Sequence, residues 1–177
     1  MKIALSVGHS ILKNGAITSA SGVVNEYKYN KELAVYVQEY LEKAGHTVKK
    51  IVCPEKKFSS SKEERTYKLP IINEGNYDLA VELHLNAYDK KAKGTETYYV
   101  SSKGKVYAKR VNEKLATVFT KRGAKKINNL YFLNQTKPPA ILIESFFCDN
   151  ISDCELGKDK EKIGKLIAEG IHGKSIE

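Results

Sequence analysis

The sequence predicts an α/β sandwich with a largely parallel sheet, folded as one domain over residues 1–177. Segments with strand and helix patterns alternate through most of the chain, which favours parallel strands joined by helices. A chain of 177 residues buries enough apolar surface to need no disulfide or metal as a staple. Its 41% of hydrophobic and 29% of charged residues are typical of a globular protein.

The first elements follow from apolar periodicity and from the residues that flank it. Lys2–Val7 is predicted to be the first strand and Thr47–Cys53 the second. Between them, Asn25 is the expected N-cap of a helix, Glu26 lies in its first turn, and Gly45 ends it. The inward stripe of this helix consists of Leu33, Ala34, Val37, Leu41 and Ala44.

A second helix is predicted where a serine is followed three residues later by a glutamate, at Ser60–Glu63 or Ser61–Glu64. Pro70 is expected to kink or split this helix, because proline removes one helical hydrogen bond and its ring collides with the preceding turn. Two further strands are predicted at Asp78–Ala87 and Gly94–Val100.

The second half of the chain begins with a long helix that is expected to end near Gly123. Ile127–Leu133 is then predicted to be a strand, and the nearly continuous apolar run Ala140–Phe147 is the clearest strand of the chain. The apolar stripe of the long helix is Ala108, Val111, Leu115, Val118 and Phe119, and that of a final helix is Ile163, Leu166, Ile167 and Ile171.

The chain is basic, with a formal net charge of +9 and a pI of about 9.3. Between Lys103 and Lys126 there are nine lysines and arginines but only one acid, Glu113. A solvated basic face explains this excess, and attraction to an anionic polymer is the alternative. Nucleic acid is not expected as a partner, because tryptophan is absent and no nucleic-acid-binding signature occurs.

Three cysteines without a C-x-x-C spacing favour a reduced cytosolic product over a disulfide framework. Two of them, Cys148 and Cys154, are expected to be small buried hydrophobes rather than metal ligands. The apolar stretch before Gly8 is shorter than the roughly 7 residues that a secretory signal needs. No apolar run approaches the roughly 18 residues that span a membrane.

The predicted strand Asp78–Ala87 carries an unusual row of polar side chains. One face presents Leu79, Val81, Leu83 and Leu85, and the other presents Ala80, Glu82, His84 and Asn86. A central parallel strand is usually apolar on both faces, so the polar row indicates a functional site at its carboxyl end, where open α/β sheets bind ligands. The alternative is an edge strand with one wet face.

Glu144 is the only charged residue in the apolar run Ala140–Phe147. Burying an isolated carboxylate costs several kcal/mol unless a cation or hydrogen bonds compensate its charge. A structural ion pair with a lysine would compensate it. A neighbouring metal ion would do so too, and would make Glu144 a candidate general base near neutral pH.

His9 and Glu26 complete a candidate donor set. His9 follows the first strand, and Glu26 shares a helix face with Asn30 one turn later, although the helix dipole alone also explains Glu26. Two imidazoles and one carboxylate suit an open catalytic Zn²⁺ site, with a second carboxylate left to act as base. The sequence therefore predicts a metallohydrolase if the fold brings His9, Glu26, His84 and Glu144 together.

Five short motifs follow one another along the chain: Val7-Gly8-His9, Glu26 with Asn30, Glu82-Leu83-His84-Leu85-Asn86-Ala87, Gly94-Thr95-Glu96, and Pro139–Phe147 followed by Asn150. In this order they resemble the motifs of zinc-dependent N-acetylmuramoyl-L-alanine amidases of the amidase-3 type, and most of all the catalytic modules of clostridial phage endolysins. The resemblance extends over almost the whole chain. Five motifs in order are far more specific than any one of them.

The resemblance implies a three-layer fold in which helices cover both faces of a twisted, mainly parallel sheet of about six strands. It implies His9, Glu26 and His84 as ligands of a Zn²⁺ cofactor and Glu144 as the catalytic carboxylate. The implied reaction is hydrolysis, by zinc-activated water, of the amide between N-acetylmuramic acid and L-alanine in peptidoglycan, which lyses the bacterial cell wall.

Three polar residues, Asn30, Glu82 and Asn86, are expected to support the metal ligands or to contact the substrate. Glu82 stands where the resembling family more often has serine, so an extra carboxylate is expected that either supports the site or points away from it, without being a ligand. The loop Ser10–Val24 lacks the family's Gly-Gly-x-Asp pattern, which affects the expected substrate groove but not the metal set.

Two other functions are kept as alternatives: another zinc amide hydrolase, such as a carboxypeptidase or an aminopeptidase, and a basic wall-binding module without catalysis. The expected partners are peptidoglycan and anionic wall polymers. Since no signal peptide is visible, we expect synthesis in the host cytoplasm and holin-dependent release to the wall. No separate wall-binding module is expected within residues 1–177.

Overall fold

Six strands and six helices follow one another along the chain, and the computed structural model describes all residues from 1 to 177. The strands are β1 (Lys2–Val7), β2 (Thr47–Ile51), β3 (Leu79–Asn86), β4 (Thr95–Tyr99), β5 (Lys121–Lys126) and β6 (Ala140–Phe147). The helices are α1 (Glu26–Lys43), α2 (Ser61–Glu74), α3 (Ser102–Leu115), α4 (Tyr131–Gln135), α5 (Ile151–Leu156) and α6 (Lys160–His172).

The strands form one sheet in the order β2-β1-β3-β6-β4-β5. The first four strands in this order run parallel, β4 pairs antiparallel with β6, and β5 pairs parallel with β4. The predicted α/β fold with a mainly parallel sheet of about six strands is confirmed. Because β3 lies between β1 and β6, the interpretation of its polar row as the wet face of an edge strand is wrong.

Helices cover both faces of the sheet, which gives the three layers that were predicted. On one face, α1, α3 and α6 share a cluster of 28 buried hydrophobic residues with the strands. On the other face, α2 and α4 share a cluster of 8 with them. Since neighbouring residues of a strand point to opposite faces, Ile3 and Leu5 enter the larger cluster and Ala4 the smaller.

Helix α1 begins where its capping residue predicts. The side chain of Asn25 accepts a hydrogen bond from the backbone N–H of Lys28, which satisfies one of the free donors of the first turn. Gly45 follows the helix with a φ of 82°, a left-handed conformation that favours glycine. This start places Glu26, the first residue of α1, next to the carboxyl ends of β1 and β3.

Two predictions in the first half need correction. Of the two outcomes expected at Pro70, a kink or a split, the split is wrong: helix α2 is continuous through Pro70, and the inward residues on either side, Lys68 and Ile72, are both buried. Burial of those two side chains holds the helix together across the missing hydrogen bond. Strand β2 ends at Ile51, which pairs with Ser6, so Cys53 lies beyond the strand and not within it.

The long helix of the second half ends earlier than predicted, at Leu115 instead of near Gly123. Val118 and Phe119 lie in the turn after α3 and pack into the larger hydrophobic cluster from there. The helical spacing of apolar residues therefore continues past the end of the helix. The turn after α3 folds back onto the core, so its apolar residues are drawn into the core without being helical. Gly123 lies inside β5 with a φ of 94°.

The predicted strand at Ile127–Leu133 is wrong. The strand is β5 (Lys121–Lys126), and the short helix α4 contains Phe132 and Leu133, which are buried. This edge strand consists mostly of exposed lysine and arginine and has no apolar alternation, so its sequence lacks the signal on which the prediction depends. A short apolar run such as that near Phe132 does not distinguish a strand from a helix by its periodicity.

No helix of the structure combines the length and the apolar character that crossing a membrane would require.

Candidate metal centre

The carboxyl ends of β1, β3 and β6 bring the four sequence-predicted residues to one edge of the sheet. His9 follows β1, His84 lies near the end of β3, and Glu144 of β6 is directly opposite His84 in the strand register. Glu26 reaches the same place from the first turn of α1. The candidate ligand atoms of His9, Glu26 and His84 all lie within 4.8 Å of one another, so this group could hold a metal ion.

One carboxylate oxygen is shared by the two imidazoles. Oε1 of Glu26 lies 2.9 Å from Nδ1 of His84 and 3.3 Å from Nε2 of His9. The backbone N–H of Leu85 donates to the same oxygen, and that of Ala20 donates to Oε2. The imidazole rings meet edge to face, with their centroids 5.0 Å apart. The carboxylate of Glu26 is therefore fixed from both sides.

The carboxylates of this site stabilise positive charge at the imidazoles. Burial alone would raise the pKa of Glu26, but hydrogen bonds and charge from His84 and His9 outweigh it and hold this pKa well below its usual range. Burial alone would lower the pKa of His84, yet its hydrogen bonds to Glu26 and Glu82 raise it to about 10. Two imidazole nitrogens and one carboxylate are also the donor set of open zinc sites, so the residues fit that ion chemically.

The backbone at Gly8 and His9 is shaped to admit both imidazoles. A Cβ atom at Gly8 would lie 2.2 Å from Cε1 of His84, so only glycine lets that ring pack where it does. His9 has a φ of 65°, in the left-handed region that non-glycine residues rarely adopt. Backbone strain of this kind clusters at functional sites.

Glu82 lies beside this group of candidate ligands without belonging to it. Its Oε1 is 2.9 Å from Nε2 of His84, and its Oε2 is 2.7 Å from Nζ of Lys68 and accepts a hydrogen bond from the hydroxyl of Ser6. Burial would raise the pKa of Glu82, but the charge of Lys68 and the bond to His84 lower it strongly. The extra carboxylate is thus ionised and neutralised by a buried lysine.

Sequence reasoning missed Lys68. Its Nζ also donates to the carbonyl of Val7 at 2.8 Å, and the residue is only 4% exposed. A signal for it was present, because Glu64, Lys68 and Ile72 are spaced by four residues and are the buried positions of α2. Two charged residues on the inward stripe of a helix indicate buried partners.

Glu144 is partly buried, and its buried second carboxylate oxygen has no partner. Its Oε2 has no hydrogen bond, and no lysine or arginine pairs with the carboxylate, so the alternative of a structural ion pair is wrong. Burial raises the pKa of Glu144, the charge of His84 opposes this rise, and the neighbouring carboxylates of Glu26 and Glu96 add to it, so that the pKa is about 7. A carboxylate with a pKa near neutrality can both accept and return a proton.

The two asparagines of the predicted set lie in different surroundings. Asn30 is fully buried, and neither atom of its amide has a hydrogen-bond partner in the protein. Asn86 donates from Nδ2 to Oε1 of Glu96 at 2.6 Å. Glu96 also pairs with Arg122 and Lys125, which neutralise its charge on the far side of Glu144.

The cysteines are buried and free of disulfides. Cys148 and Cys154 belong to the larger hydrophobic cluster, as predicted for small buried hydrophobes. Burial raises the thiol pKa to about 12 for Cys148 and to about 11 for Cys154, which keeps both thiols protonated at neutral pH. Neither belongs to the group that could bind a metal.

Comparison with solved structures finds two informative neighbours. The catalytic domain of the CD27L endolysin targeting Clostridium difficile is 55% identical, with a TM-score of 0.98 over 100% of this chain and 99% of that one. The CwlD amidase of Clostridioides difficile, solved in complex with the GerS lipoprotein, is 26% identical, with a TM-score of 0.79 over 97% of this chain and 96% of that one.

Sequence comparison agrees with the structural neighbours. The family described as N-acetylmuramoyl-L-alanine amidase matches residues 3–173. A germination-specific N-acetylmuramoyl-L-alanine amidase of Bacillus subtilis is 30% identical, over 96% of this chain and 77% of its own length. An uncharacterized protein of Clostridium perfringens is 34% identical over 100% of this chain. The chain spans about half the length of the two relatives from that organism, 53% and 51%.

Proposed function

The chain belongs to the N-acetylmuramoyl-L-alanine amidase family, and on this premise we propose that it hydrolyses the amide between the lactyl group of N-acetylmuramic acid and L-alanine in peptidoglycan. The observation that carries the proposal is the convergence of His9, Glu26 and His84 beside Glu144 at one edge of the sheet. The 55% identity to an endolysin catalytic domain supports it over the full chain.

The proposed cofactor is Zn²⁺, held by His9, Glu26 and His84. When bound, the ion supplies a Lewis acid that activates water and polarises the scissile carbonyl. Two neutral imidazoles and one carboxylate leave the occupied site with a net charge near +1. Such a site favours the negative charge that develops on the carbonyl oxygen during hydrolysis.

Glu144 is the proposed general base. Its unpartnered Oε2 would accept a proton from water as the water oxygen attacks the carbonyl carbon. The carboxyl group would then return this proton to the alanine nitrogen as the C–N bond breaks. The pKa of about 7 supports both steps, because a carboxyl group with that pKa exchanges protons readily near neutral pH.

Glu82 is proposed to orient His84 rather than to bind the metal. Metal-ligating histidines commonly donate their second ring N–H to a carboxylate, which fixes the tautomer and the orientation of the ring. The 2.9 Å contact between Nε2 of His84 and Oε1 of Glu82 has this arrangement, with Lys68 holding the carboxylate from behind. Support of the site by Asn30 and Asn86 stays a prediction.

The proposed place of action is the cell wall, reached after holin-dependent release, as for an endolysin. The residues from Lys103 to Lys126, called the basic surface below, are proposed to attract anionic wall polymers. Their support is the charge: most of these lysines are exposed on α3 and β5, and only Lys114, Arg122 and Lys125 are paired with acids.

Product analysis of digested peptidoglycan tests the reaction. The proposed amidase releases muramic acid with a free lactyl carboxylate and a stem peptide with a new N-terminal alanine. A carboxypeptidase or aminopeptidase would leave the lactyl–alanine bond intact, and a non-catalytic module would bind walls without releasing either product. Chelation should abolish the release and zinc should restore it, whereas full activity of metal-free protein in chelator would refute the zinc proposal.

A further inference from the structure

A cavity of about 380 Å³ opens beside the candidate metal centre, between α2 and residues 129–132. His9, Glu82 and His84 line its inner end, and Arg65 of α2 and Tyr131 of α4 line its outer part. This volume lies in the range of small-ligand sites. Because the inner end carries candidate metal ligands, the occupant of the cavity must be a part of the substrate adjacent to the bond that is cut.

Three charged groups that line the cavity already have partners within the protein. Lys68 binds Glu82 at 2.7 Å, and both side chains are buried. The carboxylate of Glu64 is also buried, and it accepts a hydrogen bond from the hydroxyl of Thr18 at 2.9 Å. Lys68 is the only cation among these three residues, and its pairing with Glu82 leaves it no free positive charge for a ligand.

Arg65 differs from these residues because no acid of the chain neutralises its charge. Its Nε donates to the carbonyl of Ser61 at 3.2 Å, and its guanidinium lies 5.8 Å from the centroid of the Tyr131 ring. It forms no ion pair with any acid of the chain, and the residue is exposed where it lines the cavity. The contacts with Ser61 and Tyr131 hold the guanidinium in place while its two terminal amino groups stay available.

The chemistry of the proposed substrate indicates what this guanidinium binds. The glycan strand of peptidoglycan consists of N-acetylated sugars, and the muramic acid loses its carboxylate charge when it is amide-linked to alanine. The stem peptide carries free carboxylates, of which the first is the α-carboxylate of the acidic residue that follows L-alanine. The planar guanidinium of arginine can donate two parallel hydrogen bonds to a carboxylate, whereas neutral sugars offer no negative charge for it to bind.

We propose that this cavity is the subsite for the stem peptide and that Arg65 binds the α-carboxylate of the residue after L-alanine. The proposal rests on the proposed function, because it assumes a peptidoglycan substrate. It predicts that the enzyme distinguishes walls in which this carboxylate is free from walls in which it is amidated, since an amide carries no charge for Arg65.

The test compares two soluble muropeptides that differ only at this carboxyl group, one as the free acid and one as the amide. For the Arg65→Gln variant we expect KM on the free acid to rise about tenfold. This is the low end of the effect expected from losing a hydrogen bond to a charged group, because Arg65 is exposed to solvent. KM on the amide and kcat on both should stay within about twofold of wild type. Arg65→Lys should restore part of the preference, since it keeps the charge without the fork.

Lys62→Gln is the matched control, because Lys62 is exposed on the same helix and lies outside the cavity. Lys62→Gln also removes one positive charge, but it should leave the preference for the free acid over the amide unchanged. If Arg65→Gln changes KM equally on both muropeptides, or on neither, the proposed carboxylate subsite is wrong. Cleavage of both muropeptides by wild-type protein would still support the proposed reaction. If wild-type protein cleaves neither muropeptide at the lactyl–alanine bond, the proposed function fails instead.

Discussion

A single imidazole joins two carboxylates at the carboxyl edge of the sheet: Nε2 of His84 lies 2.9 Å from Oε1 of Glu82, and Nδ1 lies 2.9 Å from Oε1 of Glu26. Glu26 belongs to the candidate ligand set, whereas Glu82 is tied to the buried Lys68 behind it. The orientation of His84 therefore depends on a residue pair that the metal itself would not contact.

Removing that pair should weaken zinc binding without unfolding the protein. In the double variant Glu82→Gln/Lys68→Met we expect zinc affinity to fall about 10- to 100-fold, because the ring of His84 loses the carboxylate that orients it. Changing both residues avoids leaving one buried charge unpaired. The affinity is measured by competition with a chelator. The control changes the exposed ion pair of Glu155 and Lys158 in the same way. If the Glu82→Gln/Lys68→Met variant kept the zinc affinity of wild type, the proposed orienting role of Glu82 would be wrong.

Replacing Glu144 should separate catalysis from metal binding. Glu144→Gln should keep zinc and lose turnover by about 100-fold or more, which is the contribution of a general base. His84→Ala should lose zinc itself. Zinc content by elemental analysis and product release from purified walls are the two measurements. Lysis by Glu144→Gln at a rate near that of wild type would show that another group acts as base.

The stability of the metal-free protein should depend on pH through Glu144. Its pKa is raised from 4.5 to about 7 by burial, so the folded state holds a proton that the unfolded state releases. Folding therefore carries a penalty that is absent below about pH 4.5, grows as the pH rises, and is complete above pH 7.

Glu144→Gln removes the ionisation, so the variant should be more stable than wild type by about 3 kcal/mol at pH 8 and nearly equal to it at pH 4.5. Denaturant unfolding in the presence of chelator measures both values. A stability difference that is the same at the two pH values would mean that the ionisation of Glu144 is not its cause.

Gly8→Ala should displace the imidazole of His84, because the added methyl group would lie 2.2 Å from its Cε1. We expect a loss of about 1–3 kcal/mol in the free energy of unfolding, as for other overpacked positions, together with weaker zinc binding. The double variant Gly8→Ala/His84→Ala provides the check. Removing the ring makes room for the methyl group, so the loss from Gly8→Ala should largely vanish in the His84→Ala background.

Binding to the wall through the basic surface should weaken with salt. Lys121→Gln/Lys126→Gln removes two exposed charges from β5 and should reduce binding to isolated walls at low ionic strength, with a smaller reduction at 0.5 M salt, where charges are screened. Lys43→Gln/Lys174→Gln removes two exposed charges elsewhere and is the control. Salt-insensitive binding by wild-type protein would exclude this attraction.

Several features were readable from the sequence because they depend on neighbours in the chain. The alternation in Leu79–Asn86, the apolar run Ala140–Phe147 and the cap at Asn25 each specify an element from a few consecutive residues. The polar outliers His84 and Glu144 stood out within those elements as candidate site residues. Strand β5 was missed because its exposed sequence of lysine, arginine, glycine and alanine has no apolar pattern to read.

By itself, the sequence determined the α/β class, the polar residues at strand ends and their resemblance to one amidase family. Only the tertiary structure decided which of those residues meet. It placed β3 in the centre of the sheet, paired Glu82 with Lys68, left Glu144 without a lysine or arginine partner and left Arg65 unpaired beside a cavity. The physical reason is that pairing and burial of charges are set by contacts between segments far apart in the chain, which no local pattern encodes.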